Sequence, residues 1–404
     1  MTEFLDLFTP DWISPPGETI SDLLEEKDWT QAELAQRLGY TTKHVSQLIN
    51  GKVSISEETA RKLSYVLGST VEFWLNREAQ YRTQLVQQEE IEKLASWVNW
   101  LEGFPLKELM NLGFLSRYPL TKANKPNLVK DLLCFFGVAS PDEWEKTYNQ
   151  KMSVYFRRTR ENQSDIKAIS TWLRLGEIQA EKQDWPKYQK TKFKEALTEI
   201  RKLTVLPQAE FEPKLKQLCF NAGVILVLVP SLPRTHTSGV ARWLNPHRPL
   251  IQLSCYGKFN DRFWFSFFHE AAHILLHNNK QDIFLDDFKA DISSLDKHEL
   301  EREANVWAGN FLIPTKLTSE LAALKSKEKV KSFAQQLGIH PGILVGRLQH
   351  EKIIEMSWMN DLKDKLYLLS PNEKNDEVTR DSPSFDEAMK YVLETDAELL
   401  QRLA

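Results

Sequence analysis

The chain has 404 residues, 42% hydrophobic and 11% aromatic, which excludes global disorder and exceeds one ordinary core, so two to four domains are expected. The formal net charge is −4, but residues 1–80 hold 13 acidic and 7 basic side chains (net −6), residues 151–202 hold 13 basic and 7 acidic (net +6), and residues 371–404 hold 9 acidic and 4 basic (net −5), so only the middle stretch is drawn to polyanions. Cys134, Cys219 and Cys255 are widely spaced and form no CxxC pair, which argues against a disulfide framework or a cysteine zinc site.

The first residues, MTEFLDLFTP, lack the basic-then-apolar pattern of a secretory leader. No run of about 18 apolar residues follows, so no membrane span is expected and the cytoplasm is the expected location. Residues 17–79 read as short helices. Thr30 is placed as an N-cap with Glu33 three residues on, a capping-box spacing. Ala32, Leu34, Ala35 and Leu38 supply an apolar face, and Gly39 stops the helix. Thr41 or Thr42 caps a second helix that runs through Val45, Leu48 and Ile49 to Asn50-Gly51. Two short helices joined by a turn of about three residues make a helix-turn-helix candidate.

Pro16-Gly17-Glu18, Trp29-Thr-Gln-Ala-Glu-Leu-Ala35, Val45-Ser-Gln-Leu-Ile-Asn-Gly51 and Glu72-Phe-Trp-Leu-Asn76 together resemble the HigA-type antitoxins of the XRE regulator class, over residues 12–80. The resemblance implies a five-helix DNA-binding fold with Thr41–Asn50 as the recognition helix. Thr41, Thr42, Lys43, His44 and Gln47 are able to hydrogen-bond base edges in the major groove, and Gln31 a phosphate. Residues 30–64 carry only five basic against three acidic side chains, so DNA binding is expected to be weak or dependent on a homodimer.

Residues 80–202 read as all-helical, punctuated by Pro105, Pro119, Pro126 and Pro141. The basic part of this stretch, 151–202, is expected to be a solvated helix face. Strand character begins at Gly223. Val224–Val229 reads as a buried strand, and 240–244 and 250–253 as shorter ones separated by Asn245-Pro246. Arg262–His277 and Glu299–Leu312 follow as apolar helices, the second stopped by Pro314.

The first of these helices contains His269-Glu270-Ala271-Ala272-His273. Histidines four apart lie one turn apart on one helix face and can share one metal ion. Glu270, beside His269, is placed to take a proton from water activated there and to return it to a leaving amine. A third histidine at the spacing HExxHxxGxxH is excluded, because those positions hold Leu276 and Asn279. His277 lies about 12 Å along the axis from His269 and is expected to be a helix-end or packing residue. Glu301 is the favoured third ligand, since it shares a helical face with the small Ala304 and Ala308. Glu303 is its competitor, and only one of the two can face the metal. Asn305, one turn on, is expected to orient a ligand histidine.

Trp264-Phe-x-x-Phe-His-Glu-x-x-His-x-x-Leu-His277, followed by Glu301-x-x-Ala-Asn-x-x-Ala-x-x-Phe-Leu-Ile-Pro314, resembles the ImmA/IrrE metallopeptidases, over roughly residues 205–355. The resemblance implies a zincin fold, a Zn2+ ion held by His269, His273 and an acidic residue of the second helix, and Glu270 as the catalytic acid and base. Trp307 departs from the family pattern, which has Phe there; the change is one of volume in an apolar slot. Tyr256, His236 and His298 are candidates for an oxyanion stabiliser by residue type only.

Leu34-Ala-Gln-Arg-Leu-Gly39 is echoed by Phe333-Ala-Gln-Gln-Leu-Gly338, and Val45-Ser-Gln-Leu48 by Val345-Gly-Arg-Leu348, so residues 330–353 read as a second helix-turn-helix-like unit or as a convergent helical hairpin. An acidic linker follows, then an amphipathic helix opened by Ser384. The expected fold is α+β and predominantly helical: a helix-turn-helix domain at 1–80, a helical linker domain at 81–204, a zincin-like core with a small sheet at 205–316, a helical unit at 317–365, and an acidic tail at 366–404. The expected function is a regulator that joins operator binding to a zinc endopeptidase, cutting a helix-turn-helix repressor, an antitoxin-like protein or itself. The alternative is a non-catalytic antitoxin with a toxin partner and the zincin fold as sensor or docking module.

Overall fold

A computed structural model describes residues 14–149, 166–182, 184–235, 237–254, 259–277, 284–287 and 295–367. The helix opened by Ser384, part of the basic stretch 151–202, Tyr256, His236 and the side chain of His298 lie outside the described residues. The fold is predominantly helical with one small sheet, as expected. Among the described residues no helix is long and apolar enough to cross a membrane.

The chain divides into two compact units. The first runs to Trp100 and includes Pro119–Lys130. Its five leading helices are α1 (Pro16–Glu26), α2 (Gln31–Leu38), α3 (Thr42–Ile49), α4 (Glu57–Val66) and α5 (Val71–Ser96). Local chemistry sets their ends. Thr30, Thr41, Ser56 and Thr70 each accept a hydrogen bond from the backbone N–H three residues on. Gly39 closes α2 at φ 70°, a left-handed turn that favours glycine. Glu33 does not complete a capping box; its carboxylate takes Arg37 instead, at 2.7 Å. Ile20, Leu34, Leu38, Val45, Leu48, Ala60, Leu63 and Trp74 are buried together as the core. Gly17 lets α1 meet α3, since a methyl group there would overlap the carbonyl of Ile49.

The second unit holds Leu101–Tyr118 and the described residues from Asp131 onward. Its sheet has the order β1-β3-β2-β4. Strand β1 (Ile225–Leu228) pairs parallel with β3 (Arg248–Leu253), and β2 (Thr237–Asn245) pairs antiparallel with both β3 and β4 (Phe284–Asp287). Asn245 Oδ1 accepts the His247 N–H at 3.0 Å, which shapes the β2–β3 turn. Its helices include α6 (Ile166–Glu181), α7 (Lys190–Leu203), α8 (Gln208–Asn221), α9 (Asn260–Leu276), α10 (Leu295–Leu312), α11 (Lys327–Leu337) and α12 (Pro341–His350).

Helix α9 is apolar almost all round, and 14 of its 17 residues are buried, so each polar group on it needs a partner. At its N-terminus Asp261 pairs with Lys363 at 2.6 Å, both buried, and Asn260 bonds His340 at 2.8 Å. Gly346 and Gly342 of α12 make room for these two side chains. On another part of the sheet Arg242 binds Glu177 of α6 at 2.6 Å, and Gln252 donates to the Trp172 carbonyl.

The segmentation expected from sequence differs from this grouping. The boundary at residue 80 falls inside α5, which contains neither Gly nor Pro and so runs unbroken to Ser96. The boundaries at 204 and 316 cut through one hydrophobic core that extends from Phe193 of α7 to Leu366. The end of the expected linker segment, the expected core and the expected helical unit therefore share one hydrophobic core.

Candidate metal centre

Helices α9 and α10 bring His269, His273 and Glu301 together. The Nε2 atoms of the two histidines are 3.0 Å apart. Glu301 Oε2 lies 3.1 Å from the first and 3.4 Å from the second. Zinc held by nitrogen and oxygen at about 2.0–2.1 Å in a tetrahedron has corners about 3.3 Å apart. The three donor atoms stand as three corners of such a tetrahedron, and their chemistry, two imidazoles and one carboxylate, suits that ion. Ala304 and Ala308, on the same helix as Glu301, are fully buried.

The electrostatics agree. Burial pushes His273 down to about 4, against the opposing pull of Glu301, so the ring is neutral at neutral pH and its lone pair is available. Burial alone would raise Glu301. Hydrogen bonds with His269 and His273 outweigh it and hold the carboxyl well below the usual carboxylate range.

Glu270 is fully buried on the same helix and stands outside the donor triad. It lies against β2: a methyl group on Gly239 would fall 2.7 Å from Glu270 Oε1 and 2.9 Å from its Cγ and from Leu253 Cδ2. Gly239 is a site residue that sequence reasoning missed, because its partner lies 31 positions away. Gly239→Ala is expected to displace the Glu270 carboxylate, and any peptidase activity that depends on its placement should fall by at least about tenfold. Zinc content measured on the same preparation should be unchanged; retained activity would show that the glutamate does not need that space.

Asn305 is exposed, and the side chain within hydrogen-bond distance of His273 Nδ1 is that of His277. The chain leaves the helix at His277, whose N–H donates to the His273 carbonyl. His277 Nδ1 is 2.9 Å from His273 Nδ1, and its Nε2 is 3.3 Å from Glu303 Oε2. The sequence carried this signal: His277 is four residues past His273, and side chains at that spacing are neighbours. Trp307 is half-buried and stacks on Phe311 at 4.8 Å, in keeping with a change of volume in an apolar slot.

In the first unit Gln31, Thr41, Thr42 and Lys43 are exposed. Thr41 Oγ1 also caps α3 by accepting the His44 N–H at 3.2 Å. His44 and Gln47 are half-buried, and the His44 ring meets Tyr40 edge-on at 4.6 Å. Two of the five basic side chains in this region are paired locally, Arg37 with Glu33 and Lys62 with Glu58.

Comparison with known proteins matches each of these regions. A helix-turn-helix family model matches residues 20–74, and the model of the IrrE N-terminal-like domain matches residues 225–349. An uncharacterized HTH-type transcriptional regulator of Escherichia coli K12, YddM, is 36% identical over 61 residues, 15% of this chain. The chain spans 65% of that relative's length. A putative antidote protein of a plasmid maintenance system from Nostoc punctiforme is 32% identical, with 20% of this chain and 87% of that one covered and a TM-score of 0.19. An addiction-module antidote protein of the HigA family from Coxiella burnetii is 30% identical, with 20% and 90% covered and a TM-score of 0.19.

Proposed function

We propose that this chain, which joins an XRE-type helix-turn-helix regulator domain to an ImmA/IrrE-like peptidase-family domain, is a DNA-binding regulator that is also a zinc-dependent endopeptidase. The observation that carries the reading is the set of three donor atoms 3.0–3.4 Å apart beside a buried glutamate. His269, His273 and Glu301 would hold the ion. When bound, zinc supplies Lewis acidity, polarising a peptide carbonyl and acidifying water. Glu270 takes the proton of the attacking water on its carboxylate and returns it to the leaving amine nitrogen. Metal binding alone gives no reason to bury a second carboxylate beside the triad, which favours catalysis over a docking role.

The exposed face formed by Gln31, Thr41, Thr42 and Lys43 is the proposed operator contact, with His44 and Gln47 at its margin. A homodimer would set two such faces one helical turn of DNA apart, about 34 Å. The substrate class that fits this pairing is another helix-turn-helix repressor or antitoxin-like protein, or the chain itself; a neighbouring toxin is the candidate partner in the antitoxin setting. Dialysis against a chelator is expected to abolish cleavage of such a protein, and one equivalent of zinc to restore it. Gel shifts on the gene's own promoter should be indifferent to the chelator and should weaken steeply between low and moderate salt. Absence of any shift at low salt would sink the operator reading, and cleavage that survives the chelator would sink the zinc reading.

A further inference from the structure

We propose that Glu303 and His277 form a hydrogen-bonded relay that orients His273 and raises its strength as a ligand. The inference rests on the metal reading above and gives a task to two residues that reading leaves unused. Glu301 and Glu303 lie two positions apart, about 200° around α10, so they cannot serve one partner. The structure gives each its own: Glu301 Oε2 meets His269 and His273, and Glu303 Oε2 meets His277.

The proton positions follow from the geometry. The His273 Nε2 atom faces the other two donors, so a metal takes its lone pair there and Nδ1 carries the hydrogen. That N–H points to His277 Nδ1 at 2.9 Å, which accepts it. His277 then carries its own hydrogen on Nε2 and donates it to the Glu303 carboxylate at 3.3 Å. The carboxylate fixes the tautomer of His277, which in turn fixes the ring of His273. Partners of this kind hold a ligand imidazole in place and make it more basic, and losing one typically costs about 10–100-fold in metal affinity. His277 is only 7% exposed, so water does not readily replace it, whereas the Glu303 side chain is 54% exposed.

The test is zinc affinity of the full chain, measured by competition with a chromophoric chelator, together with the visible spectrum of the cobalt-substituted protein. His277→Leu is expected to weaken zinc about 10–100-fold and to alter the cobalt bands. His277→Asn should recover most of the loss, because its Oδ1 stands near the place of Nδ1 and accepts the same hydrogen. Glu303→Ala, which removes the acceptor, should weaken zinc about tenfold in the native background and by nothing further in the His277→Leu background, because the link is already cut. If His277→Leu does not fold, Glu303→Ala at an exposed side chain decides the matter. Native affinity in Glu303→Ala, or an equal loss in both backgrounds, overturns the relay while leaving the metal site standing. A wild-type chain that takes up no zinc overturns both.

Discussion

Glu270→Gln is expected to lower proteolysis by about a thousandfold, within the range that a general acid–base residue contributes, and to leave both zinc content and operator affinity at wild-type values. The amide has nearly the volume of the carboxylate, so it fits the space that Gly239 leaves and the packing of α9 is preserved. It cannot accept the water's proton. Zinc should stay because the three donor atoms come from His269, His273 and Glu301. Operator binding should stay because Gln31, Thr41, Thr42 and Lys43 belong to the other compact unit. Single-turnover cleavage, metal content and gel shift on one preparation check the three expectations together. Cleavage above about a tenth of the wild-type rate would remove Glu270 from the chemistry. In cells the same variant separates two kinds of regulator. Loss of derepression with repression intact means that cutting is the signal, while identical behaviour means that the peptidase-like domain is a docking module.

What could be read in the sequence was what is local. Thr30, Thr41 and Gly39 announce the ends of α2 and α3 because caps and left-handed turns are set within three or four residues. The histidine pair and Glu301 were legible because helical spacing fixes which side chains share a face, and Ala304 and Ala308 marked the inward one. Strand β4, Phe284–Asp287, was missed: two of its four residues are aspartates, and nothing in a short polar run reveals that it pairs with β2. Gly239 and the contact of Glu303 with His277 were missed for a related reason. Each acts on a residue more than 25 positions away, and no periodicity within one element encodes such a contact. The role given to Asn305 followed helical spacing correctly but overlooked the histidine at the end of the neighbouring helix.

One contact that crosses the boundaries expected at 204 and 316 is made by a residue type that composition treats as surface. Arg201, near the C-terminal end of α7, donates to the carbonyls of Phe311 at 3.0 Å, Leu312 at 2.7 Å and Leu337 at 3.0 Å. Those carbonyls are the unpaired ends of α10 and α11, where a cation is favoured by the helix dipole. One guanidinium thus ties together residues assigned by sequence to the linker domain, the peptidase core and the helical unit. Arg201→Met keeps most of the stem but strands three helix-end carbonyls, and it is expected to cost at least about 3 kcal/mol. In a unit of this size that is a fall of roughly 6–12 °C in the melting temperature of the second unit. Arg201→Lys should rescue little, because one ammonium cannot reach three carbonyls in the plane of a fork. Since α10 also carries Glu301, zinc affinity should fall with the melting temperature. The α2–α3 surface should bind DNA as before, because its core, from Ile20 to Trp74, is closed on itself. A melt within 2 °C of wild type would mean that the three segments hold together without Arg201, and that the hydrophobic core from Phe193 to Leu366 is sufficient alone.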